Sequence, residues 1–174
     1  MARLFVAVWP QSAVVNALEH LTRPDVPGLR WTGPEQWHVT LRFMGSVADV
    51  GAAEAAFERV RASATIARLG PQTGRFGDRV LHVPVTGLEE LTTAVVAATA
   101  EIGEPPDPRP FHGHITLARP RGRARVDLRR LAGAALAGDW RVDEITLVSS
   151  TTLPGGARYE VLRRLQLGSP GEVP

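Results

Sequence analysis

The tetrapeptides His38-Val39-Thr40-Leu41 and His114-Ile115-Thr116-Leu117 spell one pattern twice within 174 residues: histidine, aliphatic, threonine, leucine. On a β-strand, alternate residues face opposite sides. His38, Thr40 and Arg42 are therefore expected on one face, with Val39, Leu41 and Phe43 on the other. In the second copy His114 and Thr116 share a face, opposed by Ile115 and Leu117. The aliphatic faces suit a core. The polar faces do not, since burying a histidine or threonine without a partner costs about 1–3 kcal/mol. If the two strands are related by internal symmetry, their polar faces meet across one groove, and two imidazoles and two hydroxyls converge there.

Such a set suits phosphodiester chemistry. An unperturbed imidazole has a pKa of about 6.5, so near neutrality one ring can accept a proton from water while the other gives one to a leaving oxygen. Threonine hydroxyls can donate hydrogen bonds to phosphoryl oxygens, where charge concentrates in the transition state. This arrangement requires neither metal nor cofactor.

Composition narrows the alternatives. The chain has no cysteine, which removes disulfides, thiol nucleophiles and thiolate metal sites together. All 20 basic residues are arginine, so no lysine is present for nucleophilic chemistry such as an enzyme adenylate. With a net charge of only +2, the basic character does not itself announce a nucleic-acid partner. No stretch approaches the run of about 20 apolar residues that a membrane span needs. The opening "MARLFVAVWP" is too short an apolar run for a signal peptide and reads as a strand, which makes the cytoplasm the expected location. No Gly-rich phosphate loop suggests ATP use.

Periodicity and turn residues predict strands over 3–9, 29–32, 68–76, 80–86 and 140–149, strands beginning at His38 and His114, and a final strand after "PGGAR". Helices are expected over 12–21, with Ser12 as N-cap, and over 50–66, 88–102 and 126–136. "GEPPDPRPFHG" is a proline-rich loop leading into the second histidine strand, and "RPRGRAR" a basic loop leaving it. The order is approximately β-α-β-β, repeated. This predicts an α+β fold: a duplicated ferredoxin-like unit with antiparallel sheets, one domain over 1–174 made of two pseudo-symmetric lobes, and a frayed tail over 168–174.

"HVTLRFMG" and "HITLAR" resemble the paired His-x-Thr-x signatures of the 2H phosphoesterase superfamily, and more narrowly those of the RNA 2′,3′-cyclic phosphodiesterases, or 2′–5′ RNA ligase-like proteins. The likeness extends through "RLFVAV", "RWTGPEQWHVTLRFMG", "HITLARPR" and "RYEVLRRLQL". It implies a bilobal fold with the active site in the cleft between lobes. It also implies hydrolysis of a 2′,3′-cyclic phosphate at an RNA end to a 2′-phosphomonoester, with reversible 2′–5′ ligation as a companion activity. By the same resemblance His38 is the proton donor, His114 the proton acceptor, and Thr40 and Thr116 hold phosphate oxygens. Arg119, five residues beyond His114, matches a substrate-binding arginine. Strict alternation aims Arg119 away from the groove, so that role needs the strand to break near Pro120. Arg42 has the right parity to join the substrate-binding set.

Other candidates carry less. His112 and His114 have same-face spacing that could hold a metal, but no nearby carboxylate completes a site. His20 and His82 read as surface or structural residues, and Tyr159 as a packing residue. Arg119, Arg121, Arg123 and Arg125 could contact RNA phosphates, and Trp31, Trp37 and Phe111 could stack a base. The expected partner is RNA with a cyclic phosphate end, bound by a monomer. Two other readings stay open: a related enzyme acting on a small cyclic nucleotide or other cyclic phosphate, and a non-catalytic RNA-binding module.

Overall fold

A computed structural model describes residues 2–153 and 156–169 of the chain. Its strands are β1 (Ala2–Val8), β2 (Leu29–Trp31), β3 (Val39–Val47), β4 (Thr65–Leu69), β5 (Gly74–Phe76), β6 (Val80–Thr86), β7 (His114–Pro120), β8 (Gly138–Val142), β9 (Glu144–Leu153) and β10 (Gly156–Gln166). The helices are α1 (Ser12–Glu19), α2 (Val50–Glu58) and α3 (Glu89–Thr99). The fold is α+β, with every strand-to-strand pairing antiparallel. Among the described residues no helix is long and apolar enough to cross a membrane.

The sheet order is β10-β9-β1-β3-β7-β6-β4-β8, with β2 added on β7 and β5 on β6. From the middle outward each side repeats the other: β3 and β7 lie innermost, flanked by β1 and β6, then β9 and β4, then β10 and β8. The seam is narrow. β3 meets β7 through one antiparallel pair, Val39 with Ile115, each the residue after a motif histidine. Carrying that register one residue either way sets His38 opposite Thr116 and Thr40 opposite His114.

The helices cross this seam. α3, which connects strands on the β7 side, packs on β3, whereas α1 packs on β8 at the far end of the other half. Between them lies one continuous core that includes Leu4, Val6, Leu18, Trp37, Phe57, Leu81, Ile115 and Leu147. Trp37 is buried, and its indole N–H donates to Thr32 Oγ1 at 3.0 Å.

Four expected elements differ, the first being the strand expected over 68–76, which is the end of β4 and the whole of β5 with the chain leaving the sheet between them. The helix expected over 50–66 ends at Glu58, and the chain then extends into β4, which pairs residue for residue with β8 and so buries Ala67 and Leu69. Its alanines favour helix, but the ladder and the β-branched Thr65 and Ile66 decide otherwise. The helix expected over 126–136 is only a 3₁₀ turn, Leu128–Arg130, and Gly133 follows at φ +91°, which no helix accommodates. The strand expected over 140–149 is two strands, β8 and β9. Ser12 is the first helical residue and not the N-cap; that position is Gln11, with no side-chain capping bond. In the expected frayed tail, Gly168 pairs with Ser63; residues 170–174 lie outside those described.

A finer departure shapes the groove. Between β1 and β3, Val6 pairs with Arg42 and Ala7 with Thr40, leaving Leu41 as an extra, bulged residue. Between β6 and β7, Leu81 pairs with Ala118 and His82 with Thr116, leaving Leu117 in the equivalent place. A bulge inverts the facing of everything beyond it. Arg42 therefore turns inward, 5% exposed, while Phe43 turns to the groove. The Arg42 guanidinium donates to the carbonyls of Phe43 (2.8 Å), Ile102 (3.3 Å) and Glu104 (2.5 Å), pinning the start of the proline-rich loop. Its expected place in the substrate-binding set is thus corrected: it is a structural brace. Arg42→Met leaves those carbonyls without their donor and should lower unfolding free energy by about 2–4 kcal/mol in urea titration. A neutral substitution would contradict the brace.

Candidate active site

The same inversion delivers Arg119. β7 runs unbroken to Pro120, and the bulge at Leu117, not a strand break, aims Arg119 into the groove. Thr32 holds the bulge open. Its hydroxyl lies 2.8 Å from the Thr116 carbonyl and 3.0 Å from that of Leu117, and its backbone N–H donates to Leu117 at 2.8 Å.

One cleft of about 310 Å³ gathers His38, Thr40, His114, Thr116 and Arg119. Its described lining adds Arg3, Arg30 and Tyr159 and contains no carboxylate, so the electrostatics favour an anion. Arg119 Nη2 stands 3.5 Å from Thr116 Oγ1, and Arg30 lies across from Arg119 in the β2–β7 ladder. Among the described residues no group of three or more His, Cys, Asp or Glu is placed to hold a metal ion.

The two imidazoles are oriented by the same device. His38 Nδ1 lies 2.8 Å from the carbonyl of Gln36, and His114 Nδ1 lies 2.8 Å from that of His112. A carbonyl can only accept, so in each ring Nδ1 carries the proton and Nε2 is left free for chemistry. Gln36 is itself anchored, its side-chain amide donating to the Ala157 carbonyl at 2.9 Å.

The surroundings of the rings differ. His38 stacks on Phe5 with centroids 4.9 Å apart, meets Tyr159 edge-on at 5.0 Å and has Trp9 at 5.3 Å. Trp9 is fixed in turn by its indole N–H donating to Thr146 Oγ1 at 2.8 Å. His114 has Phe76 edge-on at 4.9 Å and a third imidazole, His82, at 5.5 Å. Burial pulls His38 from its ordinary 6.5 down to about 4; the Gln36 carbonyl opposes this, and the charges of His114 and Arg119 add to it. His114 is lowered in the same direction, first by burial, with the His112 carbonyl opposing and Arg119 adding. His82, buried and stacked on Phe76 at 4.0 Å, is lowered to about 4 by burial and by His114.

Sequence spacing brought together His38, His114, Thr40 and Thr116, and the family resemblance added Arg119. It missed Arg3 and Arg30, which carry no local signature, and Tyr159 lies in the cleft against His38 although packing was expected. Trp37 is in the core, and the Trp31 indole donates to the Pro24 carbonyl. Phe111 lines a groove beside α3 that adjoins the cleft through Thr40, Phe43 and His114, while Arg123 and Arg125 line a surface hollow apart from it. His20 caps its own helix through Asn16.

The family model described as the 2′-5′ RNA ligase superfamily matches residues 10–152. The RNA 2′,3′-cyclic phosphodiesterase of Aeropyrum pernix is 32% identical, over 80% of this chain and 86% of that protein. The crystal structure of TT0787 from Thermus thermophilus superposes with a TM-score of 0.80 at 29% identity, covering 96% of this chain and 98% of that one. Apo LigT of E. coli superposes with a TM-score of 0.74 at 26% identity, covering 97% and 98%.

The lowered imidazoles fix how stability depends on pH. Each has a folded pKa below its unfolded value of about 6.5, so on acidification the unfolded chain takes up protons first. The stability they contribute is present above pH 6.5 and is lost as pH falls toward about 4, the value of His38 and His82. Denaturation midpoints measured across that window should fall with pH. His82→Phe should make the fall shallower, and an unchanged slope would show that His82 is not held neutral.

Proposed function

The chain belongs to the 2′-5′ RNA ligase superfamily, and from that premise we propose that it hydrolyses the 2′,3′-cyclic phosphate at an RNA end to a 2′-phosphomonoester by metal-free two-histidine catalysis. One observation carries the reading. Two imidazoles, each fixed through Nδ1 to a main-chain carbonyl, line one carboxylate-free cleft with two threonines and an arginine. The name borne by the Aeropyrum relative supports the substrate class.

In this scheme His114 Nε2 accepts a proton from water as the water oxygen attacks phosphorus. The bond from phosphorus to the ribose 3′ oxygen breaks, and that oxygen takes the proton from His38 Nε2. The product carries a 2′-phosphate and a free 3′ hydroxyl, and proton exchange with solvent resets the pair. Thr40, Thr116 and Arg119 hold the non-bridging oxygens as charge builds on them. With a ribose 5′ hydroxyl attacking phosphorus in place of water and the 3′ oxygen again leaving, the same groups support 2′–5′ ligation, and the reverse of that step cleaves the linkage.

The aromatic rings around His38 favour an imidazolium, as ring faces do for desolvated cations. His114, with the imidazole of His82 5.5 Å away in place of that aromatic cage, takes the part of the neutral base. Burial alone runs against an acid role for His38, since it holds that ring near 4. The anionic substrate supplies the opposing charge and lifts both rings on binding.

The pH profile tests this with a definite sign. An acid must be protonated, so activity falls as pH rises through its pKa. The alkaline limb of kcat/KM, which reports the free enzyme, should lie below pH 6.5, and that of kcat, which reports the complex, should lie higher. An alkaline limb of kcat/KM above 6.5 would remove His38 as the acid in the free protein. Alanine at His38 or His114 should each cost about 10²–10⁴-fold, and a better leaving group should rescue only the His38 variant. Rescue at His114 would exchange the roles.

Thr116→Ala should cost about 2.7–4 kcal/mol of transition-state stabilisation while Thr116→Ser keeps most activity. Exhaustive chelation should leave turnover unchanged. Loss that one divalent ion restores would sink the metal-free scheme.

A further inference from the structure

A second cationic surface lies outside the cleft. Past the end of β7, a hollow of about 600 Å³ is lined by Arg79, Arg123, Arg125 and Arg129, together with Asp78 and Asp127. Strand pairing and local packing build it. Leu81 of β6 pairs with Ala118 of β7, so Arg79, two residues earlier, lies beside the end of β7. Beyond Pro120 the Arg121 N–H donates to the Gly28 carbonyl at 2.7 Å, and the Ala124 N–H donates to the Arg121 carbonyl at 2.9 Å. That turn packs on Gly28, where a Cβ would stand 2.8 Å from the Ala124 Cβ. Buried Val126 and Leu128 fasten its far end to the core. Arg123 and Arg125 are thus exposed residues on an anchored loop.

Both carboxylates in the hollow are already engaged. Asp127 pairs with Arg129 at 2.9 Å and with Arg130 at 3.8 Å, and Asp78 pairs with Arg75 at 3.3 Å. Among the described residues Arg79, Arg123 and Arg125 have no ion pair and no side-chain hydrogen bond. Three like charges gathered by the fold repel one another, and a polyanion relieves that repulsion at several points together. The hollow also continues a line of guanidinia from the cleft. Arg30 and Arg119 lie opposite each other in the β2–β7 ladder and line the cleft, and alternation keeps Arg121 on their face. A strand whose end sits at the histidines can follow that line outward. We infer that Arg79, Arg123 and Arg125 hold backbone phosphates of the substrate RNA several nucleotides before its reacting end, so that the protein favours oligonucleotides over mononucleotides. The inference rests on the phosphodiesterase reading and adds the length of its substrate. At the ordinary strand rise β7 spans about 20 Å from His114 to Pro120. A helically stacked nucleic-acid strand covers that distance in about six nucleotides, and an extended one in fewer.

The experiment measures kcat/KM on uridine 2′,3′-cyclic phosphate and on oligouridylates of two to twelve nucleotides with the same end. It uses the full chain and its R79Q/R123Q/R125Q variant, in which exposed side chains stay polar and the cleft lining is untouched. The unsubstituted protein should gain about tenfold or more between the dinucleotide and the twelve-mer, most of it by about six nucleotides. The variant should lose about ten- to a hundredfold on the twelve-mer and keep its rate on the mononucleotide. Loss of three phosphate contacts should also flatten the slope of log kcat/KM against log salt by about 2. A twelve-mer advantage that survives the substitutions overturns the inference. So does a gain already complete at the dinucleotide, or an equal loss on every substrate. Fluorescence anisotropy of a labelled twelve-mer ending in a 3′ hydroxyl, which needs no turnover, keeps the two readings apart. If the unsubstituted protein hydrolyses no cyclic phosphate yet binds this strand far more tightly than the variant does, the phosphodiesterase reading falls and the phosphate track stands. If hydrolysis holds and both proteins bind the strand equally, the track falls alone.

Discussion

Everything in the cleft hangs on the single antiparallel pair between Val39 and Ile115. Because each follows a motif histidine, that pair is the point about which the two motifs turn, and it sets each histidine across from the other motif's threonine. A slip of one residue at this seam would send both imidazoles to the apolar side. Register is strongly held where one face is buried, and Val39 and Ile115 are both fully buried. The bulges at Leu41 and Leu117 then re-aim the chain immediately beyond the motifs. Alternation places the histidines and threonines, and its interruption places Phe43 and Arg119.

The cleft is electrostatically one-sided. Its described walls carry arginines and no carboxylate, and the imidazoles are pressed toward their neutral forms by burial and by the charge of Arg119. Such a site is stressed in the sense that any protonated ring in it lacks an anionic partner. A phosphodiester relieves that stress because it brings the one charge the walls do not supply. Substrate binding and activation of the acid are in this view one event. Arginine suits the walls better than lysine would, since its planar fork can meet two phosphoryl oxygens together and it does not lose its proton on partial burial.

Much of this was legible in the chain. The doubled His-x-Thr-x pattern, read with strict alternation, found the four central side chains because they precede the bulges. The same reading failed immediately after them, putting Arg42 in the groove and Phe43 in the core, because a bulge is a property of two paired strands and leaves no mark on one strand's pattern. Arg119 was found by resemblance, but for the wrong geometric reason. Tyr159 and Arg30 come from distant segments, and only the pairing of β10 with β9 and of β2 with β7 brings them to the histidines. The over-long helix after Val50 shows local propensity yielding to a ladder with β8, a strand more than 70 residues away. What lay in local periodicity was readable; what depended on strand pairing was not.

The exchange of helices across the seam has a consequence for how the molecule is made and how it evolves. Since α1 lies against β8 and α3 against β3, each half is covered by a helix from the other, and neither can close its apolar face alone. The sequence repeat suggests modules that could be pulled apart, but the packing makes them interlocked and obliges them to fold as one cooperative unit. Drift in either copy is then judged by the stability of both. This permits the copies to diverge where they face the cleft, as Phe43 and Arg119 have, while the buried seam keeps the two histidines in one frame.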